Sequence, residues 1–177
     1  MYIWIGCKLP EKFEQEIRQR CLSIGAQYKL DTAGFSLPQH ISLKISFDAG
    51  ERYKEILDKL CAMLEKEKRF CVTPKGIQQQ GNILWIPFRE SGILRSLHNR
   101  LDDFLYRDFG IAQHPFDKAF QFHSTLFFGE RESITQAEAM LMDYPLPDQL
   151  QIDTCLLGIS ESGKSGTYRV VREICLL

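Results

Sequence analysis

Two short segments of this sequence place a hydroxyl residue two positions after a histidine. They read HISL at residues 40–43 and HSTL at residues 123–126. Both lie in apolar, β-branched and aromatic surroundings that are typical of strands, in which alternate side chains point to opposite faces. Each segment is therefore expected to present an imidazole beside a hydroxyl on one face, with apolar residues behind.

Two such pairs can form a reaction site if their strands face each other across a cleft. A neutral imidazole accepts a proton from an attacking oxygen, while an imidazolium protonates the leaving oxygen. His40 and His123 are the candidates for these roles, and the sequence leaves open which of them is the base. Ser42 and Thr125 can donate hydrogen bonds to non-bridging phosphate oxygens. The four side chains fit in-line substitution at phosphorus, a reaction for which they need no metal ion or other cofactor.

The elements that must position these residues alternate along the chain in two similar series. Apolar stripes at helical spacing predict four helices, near residues 11–24, 51–70, 91–110 and 133–144. Runs rich in β-branched and aromatic residues predict seven strands, in the segments YIWIGCKL, HISLKISF, FCVTP, NILWIPF, FQFHSTLFF, LQIDTCLLGI and TYRVVREICLL.

A tryptophan opens each series. His40 follows Trp4 by 36 residues, and His123 follows Trp85 by 38 residues. This matched spacing predicts one two-lobed domain over residues 1–177, built from pseudo-repeats at about 1–80 and 81–177. Any alternating α+β chain can be divided into similar halves, so element order alone leaves duplication open; the paired histidines favour it.

The pattern H-x-[ST]-hydrophobic, present once in each half, resembles the signature of the two-histidine phosphoesterases, especially the LigT-like RNA 2′,3′-cyclic phosphodiesterases and 2′-5′ RNA ligases. The resemblance implies an α+β, bilobal duplicated fold in which two antiparallel-rich sheets face a central cleft, with helices on the outside. It implies metal-independent opening of a 2′,3′-cyclic phosphate to a 2′-phosphate, or the related 2′-5′ ligation, on RNA ends or small cyclic nucleotides. By motif match, His40 and His123 become the acid–base pair, and Ser42 and Thr125 the phosphate-binding hydroxyls.

The sequence departs from that pattern in two places. Ser42 stands where threonine is commoner, and the usual Gly-Arg is absent after the second motif, where FFGE follows Leu126. Lys44, expected on the same face as His40, is the candidate substitute cation for phosphate, although a lysine extending from a strand end explains it equally well. Phe127 is expected on the face of His123, where it would stack on a base or, as we favour, join the core.

A second phosphate-binding pattern lies near the C-terminus. Residues 158–165, GISESGKS, satisfy G-x-x-x-x-G-K-[ST], which binds phosphate when a helix begins at its Lys-Ser. The twelve residues that follow have the alternation of a strand instead. We therefore expect SESGKSG to be the loop of a hairpin joining the last two strands, with Lys164 an exposed cation.

The composition is that of a globular chain and excludes other classes. The 177 residues are 44% hydrophobic with a formal charge of −1, which disfavours bulk binding to long nucleic acid. No run reaches the roughly 20 apolar residues of a membrane span, and the N-terminus lacks a signal-peptide pattern. We expect a cytoplasmic monomer with no membrane contact and no obligate protein partner. The six cysteines show no C-x-x-C spacing and are expected to be reduced apolar residues.

The remaining alternatives differ in class. A non-catalytic RNA- or nucleotide-binding module of the same fold would keep the two motifs as binding groups, but intact imidazoles in both halves favour an enzyme. A metal hydrolase is a weaker hypothesis, because no carboxylate adjoins either motif and no H-x-H or H-x-x-x-H pair exists. A structural protein would leave the paired spacing unexplained.

Overall fold

The structure, a computed structural model, describes residues 1–90 and 92–177. Its strands are β1 (Tyr2–Lys8), β2 (His40–Asp48), β3 (Phe70–Val72), β4 (Gln78–Gln80), β5 (Ile83–Pro87), β6 (His123–Phe128), β7 (Leu150–Ile152), β8 (Thr154–Ser160) and β9 (Arg169–Cys175). Its helices are α1 (Glu11–Tyr28), α2 (Tyr53–Leu64), α3 (Gly92–Phe109) and α4 (Arg131–Leu141), with short 3-10 helices at Ala33–Ser36, Gly50–Arg52 and Pro115–Ala119. The start predicted for the third helix, residue 91, lies outside the described residues.

Two antiparallel sheets carry the two histidine motifs. The first sheet has the order β2-β1-β8-β9, and the second has the order β4-β5-β6; β3 and β7 form a separate two-stranded ribbon. Strand β2 lies against β6, so the two motif-bearing strands meet where the sheets approach each other. The last two strands join β1 and β2 rather than the second sheet, so the limits of the sheets differ from those of the proposed sequence repeats.

The helices are amphipathic and cover the sheets with one face. Helix α3 packs on β2, α4 on β4 and β5, and α2 on β9. The buried face of α3 is made of residues three or four positions apart, which are Leu94, Leu97, Leu101 and Leu105. The helix ends before Gly110, whose φ of 69° is the left-handed conformation that favours glycine at this position. The predicted α+β architecture, with antiparallel sheets and helices outside them, is confirmed.

Strands β2 and β6 carry a β-bulge at the same place in their motifs. Gly6 and Ile5 pair with Ser42 and Lys44, leaving Leu43 as the extra residue, and Trp85 and Leu84 pair with Thr125 and Phe127, leaving Leu126. The bulge puts two consecutive residues on the buried side in both strands, so their first six residues follow the same burial order. Bulges re-aim side chains and are frequent beside functional sites.

The bulges change which residues share a face. The prediction that Phe127 lies on the face of His123 is wrong, because strict alternation fails after Thr125; Phe127 is 1% exposed, and its neighbour Phe128 turns towards the cleft instead. The core role that we favoured for Phe127 is confirmed. Lys44 is likewise buried, at 2% exposure.

Other differences from the expected elements have simple causes. Strand β4 was not expected, because its sequence QQQ has neither apolar content nor alternation; it forms by pairing with β5 and by the hydrogen bond from Gln79 N to a Glu138 carboxylate oxygen, 2.9 Å. The segment LQIDTCLLGI forms two strands, β7 and β8, that pair in different sheets.

The cysteines were expected to be reduced apolar residues. All six cysteines are free; Cys7, Cys21 and Cys155 are buried, whereas Cys71 and Cys175 are exposed, so only part of the set is in the core. No described helix has the length and apolarity needed to cross a membrane.

Candidate active site

A cavity of about 340 Å³ lies between the two sheets and holds both histidine motifs. Its walls include His40, Ser42, His123 and Thr125, the four residues that the sequence singled out. Four other depressions on the described surface, with volumes of about 350, 360, 560 and 600 Å³, contain neither pair. The structure thus brings together four side chains from two strands that are far apart in the chain.

The two imidazoles are held in the same way. Nδ1 of His40 lies 2.7 Å from the carbonyl oxygen of Pro38, and Nδ1 of His123 lies 2.7 Å from that of Gln121, two residues earlier in each case. A carbonyl can only accept, so in both rings Nδ1 carries the proton. Nε2 is then the nitrogen left to accept or donate a proton, as the reaction requires.

A tryptophan packs on each histidine. The ring centroids of Trp4 and His40 are 4.2 Å apart, and those of Trp85 and His123 are also 4.2 Å apart. Together with the backbone carbonyl, each indole fixes the plane of its imidazole. The tryptophans that marked the two series in the sequence therefore perform matching roles in the two sheets.

The hydroxyls are positioned by different contacts. Ser42 Oγ accepts a hydrogen bond from Trp4 Nε1 at 3.1 Å. Thr125 lies on β6 beside His123 and lines the cavity. Ser124 Oγ donates to Gln39 Oε1 at 2.8 Å, so a buried hydrogen bond joins β6 to the residue that precedes β2, next to both histidines.

The surroundings lower the basicity of both rings. Burial lowers the pKa of His40 to about 4; the Pro38 carbonyl opposes this shift, and the nearby charge of a protonated His123 adds to it. Burial also lowers the pKa of His123 below its usual 6.5, against the opposing effect of the Gln121 carbonyl. Since each ring is less basic than a free histidine, neither stays fully protonated at neutral pH.

Lys44 lines the cavity, but its ammonium is committed elsewhere. It contacts an oxygen of Asp102 on α3 and, at 2.7 Å, Asp117 Oδ2 in the 3-10 helix Pro115–Ala119. Asp102 is 7% exposed and the Asp117 side chain 0% exposed. Direct binding of substrate phosphate by Lys44 remains a prediction, and two carboxylates in contact with the ammonium argue against it.

His98 belongs to the same buried network and was missed as a functional candidate. It is 0% exposed, with Nδ1 2.7 Å from the Leu43 carbonyl oxygen and Nε2 3.2 Å from that of Asp117. The bulge of β2 is therefore held by contacts from α3, through His98 and Asp102, and from the 3-10 helix, through Asp117. In the sequence His98 lies beside the apolar stripe of the third helix, which predicts a residue at the boundary of the core, and nothing in the sequence indicates its partners.

The C-terminal hairpin forms another wall of the cavity. Strands β8 and β9 pair directly, which confirms the predicted hairpin and removes the helix that a nucleotide-binding loop would need. The cavity is lined by Gly163, Ser165, Gly166 and Tyr168, whereas Lys164 is exposed and does not line it. Among the described residues, no group of three or more His, Cys, Asp or Glu side chains could hold a metal ion.

The fold is that of the LigT-like phosphoesterases. TT0787 of Thermus thermophilus matches with a TM-score of 0.67 and 17% identity, over 99% of this chain and 97% of that one. E. coli LigT in complex with 3′-AMP matches with a TM-score of 0.62 and 19% identity, over 98% and 97%. A third solved structure, described as a phosphoesterase, gives 0.56 and 17% over 99% and 98%. No family model and no curated protein matches the sequence.

Proposed function

We propose that this protein is a cyclic phosphodiesterase that hydrolyses 2′,3′-cyclic phosphate ends of RNA, or small 2′,3′-cyclic nucleotides, to 2′-phosphates. The observation that carries the proposal is the placement of two imidazoles with matching Nδ1 contacts, and of two hydroxyls, around one cavity. The LigT-like fold supports a phosphoesterase, and the E. coli LigT structure contains the nucleotide 3′-AMP, which is consistent with a nucleotide ligand here.

The reaction uses the four side chains as follows. One imidazole accepts a proton from water as the water oxygen attacks phosphorus. The bond from phosphorus to O3′ breaks, and the other imidazolium gives its proton to O3′. Ser42 and Thr125 donate hydrogen bonds to the non-bridging oxygens, where negative charge is held in the transition state. With a ribose 5′-hydroxyl in place of water as the nucleophile, the same groups support 2′-5′ ligation; the reverse of that ligation is 2′-5′ cleavage, in which the two imidazoles exchange roles.

The pKa values favour one assignment of roles. His40, with a pKa of about 4, is neutral over most of the accessible pH range and therefore suits the base. His123, whose pKa is lowered by burial without the additional charge effect felt by His40, is the ring that more readily carries the proton. We assign His40 as the base and His123 as the acid for hydrolysis.

The rest of the cavity fits a nucleoside. Leu37, Phe120, Phe128 and Tyr168 line its walls. Aromatic faces stack on bases of any sequence. We therefore propose that the base lies against the hairpin and the β6 side, with the ribose phosphate at the histidines.

The pH dependence of kcat/KM should be bell-shaped with a maximum below pH 6.5. Below about pH 4 His40 becomes protonated and can no longer accept the proton from water. Above the lowered pKa of His123, the acid loses its proton before it can protonate O3′. Initial rates between about pH 3.5 and 8 measure both limbs; a profile that is flat from about pH 5 to 8 would contradict the paired roles.

The direct test is incubation with an oligonucleotide that ends in a 2′,3′-cyclic phosphate, in the presence of a chelator. We expect multiple turnovers, because the two imidazoles supply both proton transfers. The only product should be a 2′-phosphate, because the bond from phosphorus to O3′ is the one that breaks. Chromatography against 2′- and 3′-phosphate standards identifies the product. Saturable binding without turnover would instead support the non-catalytic nucleotide-binding module.

A further inference from the structure

Trp4 lies flat on a surface made of two glycines. Gly6 follows it by two residues on β1, and Gly158 is its pairing partner on β8. A Cβ atom on Gly158 would lie 2.8 Å from Trp4 Cε3, and one on Gly6 would lie 3.0 Å from Trp4 Cη2. Side chains at either position would therefore displace the indole from the sheet.

The indole contacts both His40 and Ser42, the two polar residues of the first motif. Its ring meets the His40 ring edge-on, at 67° between the planes, and its Nε1 donates to Ser42 Oγ. The indole is 6% exposed and borders the cavity. It is thus placed between the sheet and two groups that face the substrate.

The hydrogen bond to Ser42 has a directional consequence. An indole N–H can only donate, whereas a hydroxyl has one proton and two acceptor positions. While Ser42 Oγ accepts from Trp4, its own proton must point elsewhere, and the cavity is the side left for it. The hydroxyl is thereby set to donate to a substrate oxygen.

The second motif needs no such contact. Thr125 is β-branched, and branching at Cβ restricts χ1. Serine has no such restriction, so the position of its Oγ depends on a contact from outside, which the indole N–H supplies. Within the described part of the chain, the Trp85 indole packs on His123 but makes no hydrogen bond to Thr125.

We propose that Trp4 is a positioning residue that orients the Ser42 hydroxyl towards substrate phosphate, and so compensates for serine in place of threonine in the first motif. This inference rests on the proposed function. Trp4 touches no reacting atom; it acts through Ser42 and, by packing, on His40.

The test distinguishes the effect of the indole N–H from the effect of the aromatic ring. Trp4→Phe keeps an aromatic ring and removes the N–H, and it is expected to lower kcat roughly tenfold, the scale of one hydrogen bond, with little change in KM. In a Ser42→Ala background the same change should have almost no further effect, because the hydroxyl it orients is gone. Ser42→Thr should restore most of the activity of Trp4→Phe, since threonine limits its own χ1. Trp85→Phe is the matched change in the second motif and should cost less.

A second measurement does not depend on turnover. The protein has two tryptophans, so its indole N–H groups give two NMR signals. We expect Ser42→Ala to shift the Trp4 signal and to speed its hydrogen exchange, and 2′-AMP to shift it in the wild type but little in Ser42→Ala.

The outcomes distinguish the two proposals. A Trp4→Phe loss that is equally large with and without Ser42, or a Trp4 signal indifferent to Ser42→Ala, would overturn the positioning role. If the wild type binds 2′-AMP with the expected shifts but hydrolyses no cyclic phosphate, the proposed function fails while the positioning of Ser42 stands.

Discussion

Replacing either cleft histidine by alanine is expected to lower kcat for cyclic-phosphate hydrolysis by about 10²–10⁴-fold, the usual contribution of a general acid or base. Each ring supplies one of two required proton transfers, and no other described side chain lining the cavity is an imidazole. Substrate affinity should change much less, because Ser42 and Thr125 still bind phosphate. Single-turnover rates and binding titrations of His40→Ala and His123→Ala separate these effects.

His114→Ala is the matched control for this experiment. His114, which precedes Pro115, is exposed and lies outside the cavity. Among the described residues its ring contacts Phe116, from whose backbone N–H it accepts a hydrogen bond, so its removal should leave kcat close to that of the wild type. Near-normal activity in either cleft variant would refute the proposed mechanism, because hydrolysis would then not need both imidazoles.

A substrate with a different leaving group shows which histidine is the general acid and which is the general base. An acyclic phosphodiester with a p-nitrophenolate leaving group needs no proton on departure, so it bypasses general acid catalysis. On this substrate His123→Ala should regain much of the wild-type rate, whereas His40→Ala should stay impaired. The opposite pattern would reverse the assignment of roles.

The main elements were predictable because their signals are local. The stripe of α3 and the apolar runs of β1, β2 and β6 follow directly from helix and strand periodicity. The shared cavity was predictable for a different reason, since two equal motifs in two equal series make sense only if they face each other. Periodicity therefore predicted the helices and strands, and the repeated motif predicted that the two histidine-bearing strands face each other.

What could not be predicted depends on pairing across strands. The extra residues Leu43 and Leu126 look ordinary in sequence, yet they set the bulges that bury Lys44 and Phe127. The alternation of side chains can be read from one strand, whereas a bulge is defined by the pairing of two strands. The sequence of a single strand therefore does not reveal a bulge. The contact from Trp4 to Ser42 crosses from β1 to β2 and was hidden for the same reason.

Removing the charge of Lys44 should lower the free energy of unfolding by about 3–5 kcal/mol, the usual result of breaking a buried ion pair from one side. In Lys44→Met, Asp102 and Asp117 stay buried without their cation. The backbone N–H of Ile45 and of His114, at 3.2 and 3.0 Å from the oxygens of Asp117, cannot replace a full charge. Denaturant unfolding at neutral pH measures the loss.

Lys118→Met is the matched control, because Lys118 sits beside Asp117 in sequence but is exposed and forms no ion pair within the described residues. It should change stability by less than about 0.5 kcal/mol. Adding Asp102→Asn and Asp117→Asn to Lys44→Met should recover part of the loss, since neutral amides cost less to bury than unpaired carboxylates.

The same variant decides between the two interpretations of Lys44. If the network of Lys44 and the two aspartates only braces the β2 bulge, the folded fraction of Lys44→Met keeps a KM near the wild-type value, and any loss falls on kcat through displaced Ser42. If the ammonium instead binds phosphate, the KM of Lys44→Met rises sharply in addition to the loss of stability. The second result would mean that the ammonium leaves Asp102 and Asp117 when substrate enters, making Lys44 the cation that stands in for the arginine absent after the second motif.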